Sequence, residues 1–428
     1  METLLRTAKK IIPRSLFTMI QPAYHWILAW FGHVYCGMPS KQMRIIGITG
    51  TKGKSSTTEI IDSVLKAGGF KTAVAGTIRF SIGDDHEPNL FKQSMPGRFY
   101  LQRFLKKAVR EKCDWVIMEM TSEGAKQFRN RFIYLDGLVF TNLTPEHIES
   151  HGSFEAYKQC KLDIANYSLA QSPKKPRAMI YNVDDEHSQD FINISSVEDN
   201  LAYGLSELET YSTDTQSSEF TYKDTDFSSS LLGEHNIKNM CAGIVVGEFA
   251  GMEMADVKRG IESISIIPGR GQAVDQGQPF TVVVDYAHTN ESLEAIYAAY
   301  KEKTIIGILG ACGGGRDRWK RPDFGRIAEK ACKYVVLTNE DPYDEDPMQI
   351  IEDMEKGMTK EKEGVSYIKI LDRREAFSHA FAQAQNGDVI LITGKGTDPF
   401  IMGPNGSKER WSDMEVARET LEKMGYTK

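Results

Sequence analysis

Apolar residues in this chain gather in short continuous runs, and between the runs they recur three and four positions apart. The runs cover 43–49, 72–78, 114–119, 137–141 and 178–182, then 281–286, 304–309, 333–338, 366–371 and 388–393. A short run that is apolar at successive positions reads as a strand buried on both faces. The intervening stretches 154–170, 290–302, 322–332, 346–358 and 373–385 carry the spacing of helices with one face on a core. Strands alternating with helices predict parallel sheets covered by helices on both faces, an α/β protein. A polar stretch rich in Ser, Thr, Asp and Glu, 195–230, breaks the alternation and is expected to form short antiparallel strands or an insertion. Pro268–Gly269 follows a helical stretch (254–264) and precedes the second strand series, so it is the expected domain boundary.

In open α/β sheets ligands bind beyond the carboxyl ends of the strands, and the polar motifs of this chain stand there. The first is GITGTKGKSS, residues 47–56, directly after the run 43–49. Its glycines turn the chain into a helix that begins at Lys54, buries Ile60, Ile61, Val64 and Leu65, and ends at Gly68–Gly69. Such a loop aims N–H groups and a helix N-terminus at a polyphosphate. Lys54 adds a positive charge and Ser55 a hydroxyl for a phosphate-bound Mg²⁺. The glycines at 47, 50 and 53 depart from the strict phosphate-loop spacing, which would require glycine at Ile48. Gly50, Thr51, Gly53, Lys54, Ser55 and Ser56 are the residues expected around a nucleoside triphosphate.

Other strand ends carry weaker signals. Glu119 closes a run and is a candidate Mg²⁺ ligand beside Ser55, or a carboxylate capping a loop. His147 falls in a loop, and Lys161 in a helix beside Cys160 and Leu162, where spacing alone suggests a snorkelling side chain. GACGGGRDRWKRP, 310–322, reads either as a second phosphate grip or as a solvated basic loop. The acidic NEDPYDEDP reads as a seat for a cation or as a cap for a helix starting at Asp346–Pro347.

Composition narrows the function. A net charge of −7 argues against general binding to nucleic acid. The six cysteines are scattered without a C-x-x-C pair, which fits a reducing cytoplasm and gives no disulfide or metal framework. The first 44 residues differ: six lysines and arginines stand against one acid, and no Asp, Glu, Lys or Arg occurs from Ser15 to Ser40. That aromatic, apolar arm is too interrupted by Gln21, Pro22, His25 and His33 for a spanning helix. Two readings remain: an interfacial helix touching the inner face of a membrane through residues 1–40, and a helical arm packed on the protein body.

Read together and in order, the motifs resemble those of the Mur ligase family, nearest its UDP-N-acetylmuramoyl-tripeptide synthetase branch. The resemblance rests on GITGTKGKSS, MEMTSEGAKQFRNR (118–131), FTNLTPEHIESHGSFEAYKQCK (140–161), LLGEHNIKN (231–239) and PGR (268–270). It continues through DYAHT (285–289), GGGRDRWKRP (313–322), NEDP (339–342), GKGTD (394–398) and SDMEVARE (412–419). It implies a helical arm (1–42), a central ATPase domain with a mostly parallel sheet (43–267) and a Rossmann-like C-terminal domain (268–428). It also implies ligation: ATP phosphorylates a carboxylate, and an amino acid's amine attacks the acyl phosphate. Under the resemblance Lys54 and Ser55 grip phosphates and a first Mg²⁺, Glu119 ligates that ion and His147 a second. Lys161 matches a carbamylated lysine. Asn236, Lys320 and Arg321 stand near ATP, and His288 and Arg316 near the acyl phosphate. Ser94, Thr121, Ser122, Gln127 and Arg129 match positions that hold the UDP-linked peptide. Asn339, Asp341, Tyr343, Gly394 and Asp398 fall at the amino-acid pocket.

The departures are informative. The chain is expected to lack the family's uridine-gripping first domain, the arm standing in its place. Where diaminopimelate-adding members have D-N-P-R, this chain has Glu340–Asp341–Pro342–Tyr343, and tyrosine cannot grip a carboxylate with two hydrogen bonds as arginine does. The acids Asp341, Asp344, Glu345 and Asp398 would instead suit an ammonium-bearing side chain such as lysine's. The expected function is an ATP-dependent amide ligase of peptidoglycan precursor synthesis, acting on two small molecules. A related ligase of folylpolyglutamate or polyamide type, and a membrane-recruited ATP-dependent switch or scaffold, are the competing expectations.

Overall fold

The structure is a computed structural model that describes residues 14–214, 216–359 and 363–428. The first thirteen residues of the expected arm lie outside the described residues.

Eight strands form the central sheet: β1 (Arg44–Thr49), β2 (Thr72–Ala75), β3 (Arg79–Ile82), β4 (Asp85–Pro88), β5 (Trp115–Glu119), β6 (Gly137–Phe140), β7 (Ala178–Asn182) and β8 (Asp199–Tyr203). Their order is β4-β3-β2-β5-β1-β6-β7-β8. β2, β5, β1, β6, β7 and β8 run parallel. β3 and β4 add an antiparallel hairpin at one edge, which the apolar runs do not reveal because all of β4 is exposed. Ile45, Ile46 and Ile48 of β1 are fully buried, Ile45 in the core on one face and Ile46 and Ile48 in the core on the other. Continuous apolar runs are therefore what a two-faced sheet demands. The helices Lys54–Ala67, Glu234–Phe249 and Met254–Ser263 supply one of these cores.

The polar stretch divides. The expected antiparallel ribbon is formed by β9 (Thr210–Thr213), β10 (Ser218–Tyr222) and β11 (Thr225–Ser229). Residues 199–203 instead extend the parallel sheet as β8, polar in sequence because it lies at a half-exposed edge.

The C-terminal sheet contains β12 (Gln272–Val274), β13 (Thr281–Val284), β14 (Ile305–Leu309), β15 (Tyr334–Leu337), β16 (Tyr367–Lys369) and β17 (Val389–Ile392), ordered β12-β13-β17-β14-β15-β16. Only β12 is antiparallel. In each sheet the chain order reverses beside a central strand, β1 in the first and β14 in the second, the arrangement that opens a crevice for ligands.

The arm is a helix, Arg14–Tyr35, laid on the helix Arg98–Arg110. Its inward side is unusual: Gln21, His25, Ala29, Gly32 and His33 face the protein, and His33 stacks on Phe132 at 5.5 Å. The opposite side, with Ile20, Tyr24, Ile27, Trp30 and Val34, is exposed. The arm is thus packed on the body and also presents an apolar ridge outward. No helix among the described residues is long and apolar enough to cross a membrane.

Candidate active site

The loops after β1, β5 and β6 face those after β13, β14, β15 and β17 across one cleft of about 2050 Å³. A drug-sized ligand fills roughly 300–1,000 Å³, so the cleft has room for a nucleotide together with a large second substrate.

The phosphate loop is built as its sequence implies. Gly50 has φ +148°, and a β-carbon there would collide with the Thr141 hydroxyl. Gly53, φ +79°, caps the helix Lys54–Ala67 in the left-handed region, with Asn239 Oδ1 against the place a β-carbon would take. Both glycines are therefore required by their positions. Asn142 pins the loop from β6: its carbonyl accepts from Thr51 N at 2.8 Å and its Oδ1 from Lys52 N at 2.9 Å. Lys54 Nζ donates to the Gly50 and Thr51 carbonyls at 2.9 and 2.8 Å. Burial pulls the Lys54 ammonium below its usual range, while Glu119 and Glu146 favour its charge.

Lys161 sits beneath this loop. It is 1% exposed, and its Nζ donates to the Gly50 carbonyl at 2.5 Å, above the Tyr157 ring. Burial, and then the nearby Lys54 charge, hold its pKa well below the ordinary lysine range. The snorkelling reading from spacing is thereby corrected: the amine is enclosed.

Ser55, Ser56, Glu119 and His147 line the cleft; Lys161 does not. Glu119 accepts from Thr77 N and Thr77 Oγ1 at 2.6 and 2.8 Å, and Thr77 Oγ1 meets Ser94 Oγ at 2.6 Å. Glu146, the neighbour of His147 in the quoted motif 140–161, lines the cleft with Oε1 buried and without a hydrogen-bond partner; the His288 Nε2 is 3.6 Å away. Burial alone would raise the Glu146 carboxyl, but His147, His288, Lys320 and Lys54 outweigh it and hold it low. Burial also lowers His147 and His288, against the raising influence of Glu146. Ser55, Glu119 and Glu146 offer, on the cleft wall, hydroxyl and carboxylate oxygens of the kind a Mg²⁺ ion takes alongside substrate phosphates. The buried free oxygen of Glu146 fits such an ion.

Elsewhere on this wall, Thr121 caps the short helix containing buried Ser122, and Gln127 Oε1 accepts from Arg129 at 2.7 Å. Ser94, Thr121, Ser122, Gln127 and Arg129 all line the cleft. Asn236 and Lys320 line it too, Lys320 paired with Asp317 at 3.2 Å.

Several expectations change. Arg321 also borders the cleft, its two terminal nitrogens bound to Asp353, Glu345 and the Cys312 carbonyl. Asn339, whose carbonyl accepts from Arg373, is not part of the cleft wall. Glu345 is occupied by Arg318, Arg321 and Gly315 N, and Asp344, which accepts from Asn405 N on one oxygen, lies outside the cleft wall. Asp346 does cap the next helix.

Asp341, Tyr343, Gly394 and Asp398 do come together, with Arg316 over the Tyr343 ring at 5.2 Å. Burial and Asp341 push the neighbouring Glu340 up to about 7, against Lys395 and Arg373. Sequence reasoning missed Tyr157, Asn239, Thr77, Arg270 and Lys92. Asn239 and Arg270 stand inside quoted motifs, and Arg270 reaches the Ser55 hydroxyl at 3.4 Å. Thr77 and Lys92 carry no local signal.

Fold and site together define an ATP-dependent ligase with a phosphate loop on one wall and a second α/β sheet domain on the other. Residues 48–247 match the Mur ligase middle domain and residues 269–396 the Mur ligase, glutamate ligase domain. The chain belongs to the Mur ligase family. It is 34% identical over 406 residues to the UDP-N-acetylmuramoyl-L-alanyl-D-glutamate--2,6-diaminopimelate ligase of Bacillus velezensis, covering 92% of this chain and 81% of that one. It is 32% identical over 421 residues to the UDP-N-acetylmuramyl-tripeptide synthetase of a Roseiflexus species, covering 93% and 82%. Among solved structures, a UDP-N-acetylmuramoyl-L-alanyl-D-glutamate--2,6-diaminopimelate ligase superposes with TM-score 0.59 at 28% identity, over 90% of this chain and 79% of that one. The folylpolyglutamate synthase of Mycobacterium tuberculosis shares the fold, with TM-score 0.70 at 17% identity over 86% and 92%.

Proposed function

We propose that this ligase adds a diamino acid to the carboxylate of a UDP-N-acetylmuramoyl-dipeptide-like acceptor, in peptidoglycan precursor synthesis. The observation that carries the reading is one cleft with Lys54, Ser55 and Glu119 on one wall and the Asp341–Asp398 pair on the other. The names of the relatives support the acceptor. The working division is an arm (1–42), a central ATPase domain (43–267) and a C-terminal domain (268–428).

Lys54 and the loop N–H groups hold the ATP phosphates, and the acceptor carboxylate takes the terminal phosphoryl group to become an acyl phosphate. Arg129, Gln127 and Ser94 orient the acceptor. His288 and Arg316 stand where charge develops as the amine attacks the carbonyl carbon and phosphate leaves. Mg²⁺, two ions in this reading, would be held by Ser55, Glu119, Glu146 and His147 and would neutralise phosphate charge. Lys161, kept neutral, is in the form that adds carbon dioxide, and its carbamate would place a negative charge under the loop.

Tyr343 replaces the arginine that would grip a distal carboxylate, which favours lysine over diaminopimelate. The test is phosphate release with UDP-N-acetylmuramoyl-L-alanyl-D-glutamate and a panel of lysine, ornithine, diaminopimelate and glutamate. Release is expected only when acceptor and amine are both present, with an amide product by mass spectrometry and lysine preferred. Preference for diaminopimelate would overturn the Tyr343 argument. Turnover without acceptor or amide would overturn the ligase itself.

The arm supports a second proposal, contact with the cytoplasmic face of a membrane. Its inward side sets Gln21, His25 and His33 among small residues, while Ile27, Trp30 and Val34 stand exposed on the outward side, which a helix serving only the fold does not require. Arg6, Lys9, Lys10 and Arg14 precede the ridge in sequence and would suit anionic headgroups. Replacing Ile27, Trp30 and Val34 together with serine should remove co-sedimentation with anionic liposomes while leaving turnover in solution unchanged. Equal sedimentation of both proteins rules the contact out.

A further inference from the structure

Lys92 lies on the segment between β4 and the helix Arg98–Arg110, in the left-handed region at φ +52°. Its side chain crosses the cleft to the C-terminal domain. Nζ reaches Asp341 Oδ2 at 2.7 Å, Asp398 Oδ2 at 2.8 Å and the Phe400 carbonyl at 3.1 Å. Lys395, at the end of β17, uses the same three groups: Asp341 Oδ1 at 2.8 Å, Asp398 Oδ2 at 3.1 Å and the Phe400 carbonyl at 2.6 Å. The two ammonium groups differ in their setting. Lys395 is completely buried within its own domain, whereas Lys92 comes from the opposite wall and its side chain remains 13% exposed in the cleft. Lys92 also arrives from the acceptor side: two residues on, Ser94 contacts Thr77, which holds Glu119.

The geometry points to Lys92 as a built-in occupant of an ammonium subsite. Asp341, Asp398 and the Phe400 carbonyl form a seat for an alkylammonium group, and the chain fills it with its own lysine. The side-chain ammonium of the incoming diamino acid takes that seat when Lys92 withdraws. This inference rests on the ligase reading for the identity of the incoming group. Within this group of four, two carboxylates face two ammonium groups. Removing Lys92 leaves one carboxylate charge unmatched in a largely enclosed place, which favours an external cation. An internal occupant lowers apparent affinity by the fraction of time the seat is filled, so a latch closed about nine-tenths of the time costs about tenfold. The same contact ties the two walls together, so opening the cleft and emptying the seat are one event.

The test is calorimetric titration of the full chain, without ATP, using L-lysine and its uncharged isostere norleucine. Lys92→Met is expected to bind L-lysine about tenfold more tightly than the natural protein, with norleucine unaffected. Lys92→Arg, which refills the seat, is expected to restore the natural affinity. Unchanged or weaker L-lysine binding by Lys92→Met, or an equal gain for norleucine, would overturn the proposal, as would no L-lysine binding by any of the three proteins. Failure of the ligase reading shows separately, as ATP turnover without amide product.

Discussion

Replacing Lys161 with alanine is expected to lower the turnover number for amide formation about a thousandfold, about 4 kcal/mol of barrier. Lys161 is among the largest fully buried side chains, and its Nζ is bound to the Gly50 carbonyl rather than to a carboxylate. A charged lysine without an acid partner is costly in such a place, and the depressed pKa reflects that cost. The neutral amine beneath the loop is therefore a chemical asset rather than a structural ion pair, and its loss should act on turnover more than on folding. Steady-state kinetics measure the drop, and a melting curve within a few degrees of the natural protein separates it from unfolding. Small carboxylates such as formate should return part of the activity to Lys161→Ala. Lys161→Arg should stay inactive, because a guanidinium does not give up its charge. Activity within tenfold of the natural protein would contradict the role given to this residue.

Lys54→Met is expected to reduce phosphate release by about a hundred- to a thousandfold, the usual cost of removing a donor aimed at developing negative charge. Methionine keeps the length and the packing of the stem but loses the two hydrogen bonds to Gly50 and Thr51 that hold the loop closed. Glu119 and Glu146 would each lose a nearby cation. Comparing turnover with direct nucleotide binding by fluorescence divides the effect between loss of affinity and loss of rate. Phosphate release at the natural rate would exclude Lys54 from the reaction.

How much of this was legible in the chain depended on how local the signal is. The parallel cores were visible because strands such as β1, β5 and β14 are buried on both faces and are apolar along their central positions. β4 and β8 escaped for the converse reason: edge strands face solvent, so their residues follow water rather than a core. The phosphate loop was readable because a tight turn into a helix needs glycine at fixed places, and Gly50 and Gly53 are there for that reason. Lys161 was misjudged from spacing, since nothing in its neighbours announces that Gly50, more than a hundred residues away, closes over it.

The amino-acid pocket shows the limit most clearly. Asp341, Asp344, Glu345 and Asp398 are equivalent as a list of acids, and only their partners separate them. Arg321, Arg318 and the backbone take Asp344 and Glu345, while Asp341 and Asp398 meet at one seat. The sequence by itself determined the layered α/β architecture, the phosphate loop and the family, because periodicity, glycine placement and motif order are properties of neighbouring residues. The tertiary structure alone decided which carboxylates meet at one seat, that Glu146 keeps an unpartnered oxygen, that the arm turns its apolar side outward, and that Lys92 fills the ammonium seat. Those outcomes rest on distances between segments far apart in the chain, set by how two sheets and their helices pack.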